Sequence, residues 1–325
     1  MTKAIRIHEP GGPDKLIYED IAVAEPGPGE VRIRHGAIGV NYIDVYMREG
    51  VYPMDLPAVP GMEGAGVVVA VGNGVGDFKE GDRIAYTTMT APGAYADERI
   101  IPAHQLVALP DGIDDKTAAA TIFQGMTVEY LVCRTYPVKK GDVVLMQAAA
   151  GGIGQLLTQW AGHIGATVIG TVGSDEKADL ARKNGCHHVI NYQTENFVER
   201  VRDITGGEGV DVVYDGVGKT TFDGGLDCLK PLGMMVVFGA ASGPVDPVNP
   251  MTLAAKGSLY LTRPTLKTYI AKREDLVMSA GRVFDMLASG ALKPQCGQEY
   301  ALADARKAHE DLEARKTSGS TILIP

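Results

Sequence analysis

The chain has 325 residues, 45% of them hydrophobic and 22% charged, with a formal net charge of -9 and a pI near 5.3. That length favours two domains over one core, and the acidic balance argues against nucleic acid or an anionic membrane as the main partner. No apolar run is long enough to span a bilayer and the opening MTKAIRIHEP lacks the apolar core of a signal peptide, so a cytoplasmic protein is expected.

Residues 1 to about 120 read as β-rich. KAIRIHE, VRIRHGAIGV, GAGVVVAVG and DRIAYTT are strand candidates, divided by the turn-forming PGGPD, EPGPGE, GNGVGDFKEGD and APGA. One stretch breaks the pattern. Asn41 to Gly50 has helical spacing, and the proline-laden YPMDLPAVPG after it is barred from a sheet interior. Tyr42, Tyr46 and Tyr52 crowd this region. Cys133, Cys186, Cys228 and Cys296 stand far apart, with no CxxC and no Cys/His pairing, so reduced structural thiols are expected and no metal. His187 and His188 are adjacent, and on a strand they point to opposite faces.

From Asp142 the rhythm changes. The apolar run Asp142 to Gln147 has the character of a buried parallel strand, breaks into Ala149-x-Gly151-x-x-Gly154, and passes into the helical QLLTQWAGHIG. Strand, glycine turn and helix are the context in which this motif signals a dinucleotide site. Gly151 and Gly152 let a pyrophosphate approach the backbone, and Gly154 lets the helix pack closely on the strand. The first motif position is Ala149 rather than glycine. TVIGTVG, DEKADLARKNG, HHVINY, NFVERVRDITGG, DVVYDGVG, the helix TTFDGGLDCLKPLG, MMVVFGAAS, VNPMTLAAKG and LYLTRP continue the alternation. Six strands with crossover helices make an α/β, doubly wound parallel Rossmann sheet.

In the tail, Leu276, Val277, Ala280, Val283, Phe284 and Leu287 form one helical stripe, and a second helix is expected from about Leu302 to Lys316. STILIP closes as a strand. A last strand after the sixth parallel one rejoins the β-rich N-terminal domain most simply, which leaves the nucleotide domain inserted and the substrate cleft between two lobes.

The second parallel strand ends Gly170-Thr-Val-Gly173-Ser174, without the acidic residue that usually binds the ribose of NAD. Asp175 and Glu176 come just after, followed at once by Lys177. A ribose phosphate would find Ser174, Lys177 and Tyr192, so NADPH is the expected cofactor. The chain shows no nucleophile elbow, Walker lysine or metal-ligand spacing, and a nicotinamide brings its own hydride. A tyrosine with an ordinary pKa stays protonated at neutral pH, so Tyr46 or Tyr52 can donate a hydrogen bond to an acceptor oxygen, or simply pack the cleft wall.

These residues resemble the medium-chain dehydrogenase/reductase superfamily and, within it, the zinc-independent NADPH:quinone oxidoreductases, the zeta-crystallin-like branch. AIGVNYIDVYMREGVYP, PGMEGAGVVVAVG, GDRIAY, AAAGGIG, GTVGSDEKADLA, VINY, VVYDGVG, SLYLTRPTL and SGSTILIP carry the likeness over almost the whole chain. Zinc-bearing members have cysteine in place of Asn41 and Gly-His-Glu in place of Gly61-Met62-Glu63, so a metal-free protein is implied. The resemblance implies a GroES-like β-rich catalytic domain over residues 1–124 and 265–325 and a Rossmann domain over 125–264.

It also implies roles. Asn41, Tyr42, Ile43, Asp44 and Tyr46 border the nicotinamide, with Thr127 and Tyr130 near its amide and ribose. Gly151, Gly152 and Ile153 meet the pyrophosphate, and Gly173, Ser174, Lys177 and Tyr192 the adenosine phosphate, with Arg315 as a second cation. Phe238, Gly239, Ala240 and Ala241 cover the nicotinamide ribose, while Asn41, Tyr46 and Tyr52 form the catalytic and substrate-facing set. Ser258 to Arg263 is the edge strand of a homodimer joined through its Rossmann sheets. The implied function is NADPH-dependent reduction of a small quinone. Its rivals are an enoyl or alkenal C=C reductase of the same superfamily and a non-enzymatic, crystallin-like NADPH- or RNA-binding protein, the RNA role disfavoured by the acidic charge.

Overall fold

In the computed structural model, which describes residues 2–88 and 91–325, the period-2 runs of the N-terminal third become antiparallel strands. The elements are β1 (Thr2–Arg6), β2 (Ile17–Ile21), β3 (Glu30–Val40), β4 (Glu63–Val71), β5 (Arg83–Thr87), β6 (Glu98–Pro102) and β7 (Leu106–Ala108), with α1 (Tyr42–Arg48) between β3 and β4. Two helices follow, α2 (Asp115–Ala119) and α3 (Ile122–Tyr130). The first lies in the stretch expected to be largely β, the second just beyond it. Asp114 caps α2 by accepting the Thr117 N–H at 2.6 Å, and the Ala118–Ala120 run has no branched side chain to oppose the helix.

The chain divides into two compact units, one of residues Met1–Met126, Tyr269–Ser289 and Pro294–Pro325, the other of Thr127–Thr268 and Gly290–Lys293. In the first, the strands after the second unit, β14 (Cys296–Ala301) and β15 (Ser320–Ile324), complete a sheet of order β14-β15-β3-β4-β5-β7, with β6 also paired to β3. The pairing of β15 with β3 is antiparallel, Thr321 opposite Val40. Ile5, Ile33, Ile38, Val68, Tyr86, Ile101 and Leu323 fill its core. The short strands β2, β6, β7 and β14 were outside the sequence expectation, being brief or charged.

The second unit holds β8 (Val143–Met146), β9 (Thr167–Val172), β10 (His188–Asn191), β11 (Val210–Asp215), β12 (Leu229–Val237) and β13 (Tyr260–Thr262), interleaved with α4 (Gly152–Ile164), α5 (Asp175–Lys183), α6 (Phe197–Ile204), α7 (Phe222–Cys228) and α8 (Pro250–Ala255). Every pairing is parallel, in the order β10-β9-β8-β11-β12-β13, the doubly wound sheet expected from the sequence. Leu145, Ile169, Ile190, Val213, Leu226 and Met235 are among its core residues.

Two helix boundaries and one buried stripe differ from expectation. The helix read as reaching Gly233 stops at Cys228, because Leu229 already pairs with Val210 and Leu232 takes a left-handed φ of 64°. In α10 (Arg273–Ala288), which follows the short α9 (Leu266–Tyr269), the buried stripe runs through Leu276, Ser279, Ala280, Val283 and Phe284. Val277, one step round the helix from Leu276, is 47% exposed. The final helix α11 spans Ala305–Glu313, preceded by a tight turn over Leu302–Asp304, and ends before Arg315, whose φ of 57° is left-handed.

Candidate functional site

The glycine turn explains its own composition. Gly151 caps α4, and a Cβ there would meet only the Ala148 carbonyl oxygen at an ordinary 3.4 Å. Packing within the protein therefore does not demand glycine at 151; the bare backbone leaves approach space at the N-terminus of a 13-residue helix. Gly154 is different. A Cβ at that position would lie 2.7 Å from Ala149 Cα, so glycine is what lets α4 sit against the turn that leaves β8. Ala148 itself takes φ 59°, and the turn is pinned by Thr171, whose carbonyl accepts the Ala149 N–H at 2.9 Å.

At the tip of β9, Ser174 caps α5 by accepting the Lys177 N–H at 3.3 Å. The Tyr192 hydroxyl lies over Gly173, in the space a Cβ at 173 would take. Gly173, Ser174, Lys177 and Tyr192 thus converge at one corner of the second unit. Asp175, the first residue of α5, accepts a hydrogen bond from Asn191 Nδ2 at 2.9 Å.

Next along the sheet, the ends of β11 and β12 are knitted together. Asp215 is buried and accepts from Val217 N at 2.7 Å, Gly218 N at 3.0 Å and Thr221 Oγ1 at 2.8 Å. Its carbonyl takes the Phe238 N–H at 2.8 Å, and Ala241 N donates to Gly216 O at 3.2 Å. A Cβ on Gly239 would lie 2.9 Å from Gly216 Cα. The loop Phe238–Ala241 is held by backbone, and its four residues stay in fixed order beyond β12. Thr127 and Tyr130 lie one turn apart on α3, both buried.

The tyrosines belong to the first unit. Tyr42 and Tyr46 have ring centroids 5.3 Å apart, and Tyr46 meets Tyr52 edge-on at 6.0 Å. Burial, helped by Glu313 and Glu49, pushes the Tyr42 hydroxyl pKa up, while Arg315 lowers it. Arg315 therefore acts on the tyrosine helix of its own unit, whereas Ser174 and Lys177 belong to the other.

Helix α1 is anchored by a buried polar network that sequence reasoning missed. Asn41 starts the helix with a capping box, its backbone N–H donating to Asp44 Oδ2 at 2.9 Å. Arg48 Nη1 contacts His309 Nδ1 at 3.1 Å, and a guanidinium only donates, so Nδ1 accepts and the ring proton lies on Nε2. That proton faces the Tyr95 oxygen at 3.0 Å, and Tyr95 in turn donates to Asp44 Oδ2 at 3.1 Å. Burial holds His309 at a pKa of about 3, consistent with a neutral ring, and lifts Asp44 to about 7. Arg48 is fully buried and balanced by Glu313 at 2.5 Å. The partners lie too far apart in the chain for local patterning to reveal them; a Glu opening the apolar run EGAGVVVAV at Glu63 was the one visible signal.

A second branch leads from Asn41 to Glu63. Asn41 Nδ2 donates to Glu63 Oε1 at 2.6 Å, Phe123 N–H to Oε2 at 2.7 Å, and Gln124 Nε2 to Asn41 Oδ1 at 3.3 Å. Burial raises the Glu63 carboxyl to about 8. This arrangement does not suit zinc. The Asn41 amide nitrogen is turned to the carboxylate, both Glu63 oxygens are taken by donors, and the neighbouring Met62 is a buried thioether. Among the described residues no three His, Cys, Asp or Glu side chains gather as a metal centre.

Comparisons with known proteins bear on both units. Residues 27–111 match the family model of the alcohol dehydrogenase GroES-like domain, and residues 152–273 that of zinc-binding dehydrogenases. A quinone oxidoreductase of Pseudomonas aeruginosa is 48% identical over 326 residues, covering 100% of both chains. A 2-haloacrylate reductase of a Burkholderia species is 46% identical over 332 residues, 100% of this chain and 99% of its own. The crystal structure of the Escherichia coli quinone oxidoreductase complexed with NADPH superposes with a TM-score of 0.97 at 46% identity, covering 99% of this chain and 100% of that one.

Proposed function

The chain belongs to the quinone oxidoreductase family of the medium-chain dehydrogenase/reductase superfamily, and on that premise we propose that it reduces quinones with reducing equivalents from NADPH. The observation that carries the reading is the corner at β9, where Gly173, Ser174, Lys177 and the Tyr192 hydroxyl gather at a strand tip that itself ends in no carboxylate, and the adjacent Asp175 is hydrogen-bonded to Asn191. The Tyr192 hydroxyl, the Ser174 side chain and a lysine at position 177 suit a ribose 2′-phosphate.

The GroES-like unit carries the tyrosines and the Rossmann unit the cofactor. NADPH, when bound, supplies the hydride. Gly151, Gly152 and Ile153 hold its pyrophosphate at the α4 N-terminus, and Arg315 adds charge at the adenosine phosphate. Thr127, Tyr130 and the loop Phe238, Gly239, Ala240 and Ala241 order the nicotinamide end, bordered by Asn41, Tyr42, Ile43, Asp44 and Tyr46. Tyr46 and Tyr52 orient the quinone oxygen by hydrogen bonding and exclude water. No metal takes part, since the Asn41–Glu63 pair satisfies itself. The protein works in the cytoplasm as a homodimer joined through β13, an edge strand on which Tyr260 is 58% exposed.

A second reading, reduction of a C=C bond conjugated to a carbonyl or carboxylate, is favoured by the likeness to a 2-haloacrylate reductase. That reaction requires protonation at carbon and therefore a positioned acid. Steady-state rates of Tyr46→Phe and Tyr52→Phe with a para-quinone and with a trans-2-enoyl thioester separate the two. Quinone turnover within a few-fold of wild type, with negligible thioester turnover, is expected; thioester turnover that collapses in one variant would replace the substrate class.

A further inference from the structure

We propose that Asn191 is a positioning residue for cofactor selectivity, holding the Asp175 carboxylate back from the ribose 2′-phosphate; the inference rests on the NADPH reading above. Asp175 stands about 20 residues past Gly154, close to where an NAD-binding fold places its ribose-binding acid. A free carboxylate there would repel a phosphate dianion. It is not left free. Asn191 Nδ2 donates to Asp175 Oδ1 at 2.9 Å, from the last residue of β10.

The tether is itself braced. Asn191 is 91% buried, its Oδ1 accepts the Gln193 N–H at 3.1 Å, and so its amide can present only the nitrogen to Asp175. The turn does not depend on that side chain alone, because Thr194 N and Glu195 N both donate to the Asn191 carbonyl, at 3.1 and 2.9 Å. Asn191, at the end of β10, serves α5, while Tyr192, just past the strand, places its hydroxyl over Gly173. One dipeptide both builds the phosphate corner and restrains the acid beside it.

The test is a double-mutant cycle on the full chain, with KM and kcat measured for NADPH and NADH at a fixed quinone concentration. In Asn191→Leu the KM for NADPH should rise about fourfold, the difference between a carboxylate–phosphate dianion repulsion at about 5 Å and one at about 10 Å in water-like dielectric. The kcat and the KM for NADH should stay within about twofold of wild type. Asp175→Asn alone should change little, yet in the Asn191→Leu background it should restore most of the NADPH affinity. Equal losses for both cofactors, or no rescue by Asp175→Asn, would overturn the proposal. Should Asn191→Leu not fold, Asn191→Ala carries the same expectations. A wild-type protein with no preference for NADPH would instead defeat the reading on which the proposal rests.

Discussion

Two glycines of α4 should respond to alanine with opposite signs. At Gly154 a new Cβ would stand 2.7 Å from Ala149 Cα and 2.8 Å from its carbonyl carbon. Both obstacles are backbone, so α4 itself must move by several tenths of an ångström. Overpacking of this kind costs about 1–3 kcal/mol, and the helical preference of alanine returns at most about 1 kcal/mol. Gly154→Ala should therefore lose about 2 kcal/mol at the upper part of that range. At Gly162, two turns on, nothing lies within 4 Å of a Cβ, and Gly162→Ala should gain about 0.5–1 kcal/mol. Urea titration followed by the fluorescence of Trp160, a buried residue of the same helix, reads both. Gly154→Ala should also raise the Kd for NADPH, because the helix N-terminus moves with it. A Gly154→Ala protein as stable as Gly162→Ala would refute the close-packing argument.

Lys177→Ala should raise the Kd for NADPH at least tenfold more than that for NADH, by calorimetry; equal losses would remove Lys177 from the phosphate site. The raised carboxyls make stability depend on pH in a defined direction. Glu63, lifted to about 8, ionises earlier in the unfolded chain, so its stabilising contribution is complete below the unfolded value and is lost as pH rises towards 8. His309, held near 3, acts with the opposite sign but only below about 6.5, which leaves pH 7–8 to Glu63 and, at its lower end, to Asp44, raised to about 7 with the same sign. Wild-type stability should fall across this range, and Glu63→Gln should remove up to about 1.4 kcal/mol per pH unit of that fall. Overnight dialysis against a chelator should leave activity unchanged, with less than stoichiometric zinc by elemental analysis; loss of activity restored by zinc would contradict the self-satisfied Asn41–Glu63 pair.

The Rossmann unit was legible because its signals are local. Glycine follows β8, β9, β11 and β12 within a few residues, and the alternation of apolar runs with helical stretches is enough to read a doubly wound parallel sheet. The close packing at Gly154 is likewise encoded within a few residues. The anchoring of α1 was not legible, since Arg48 meets His309 and Asn41 meets Glu63 only after the sheet has brought distant segments together. Nor does sequence period show that Asn191 restrains Asp175, which depends on the register of β10 against β9. Strands β6 and β7 escaped notice because three to five residues give alternation too little length to register.

The most direct test of the functional reading is oxidation of NADPH by the purified chain with an ortho-quinone and a para-quinone, followed at the nicotinamide absorbance with NADH as control. Quinone-dependent oxidation of NADPH, far faster than that of NADH, is expected. NADPH bound but left unoxidised with either quinone would contradict it.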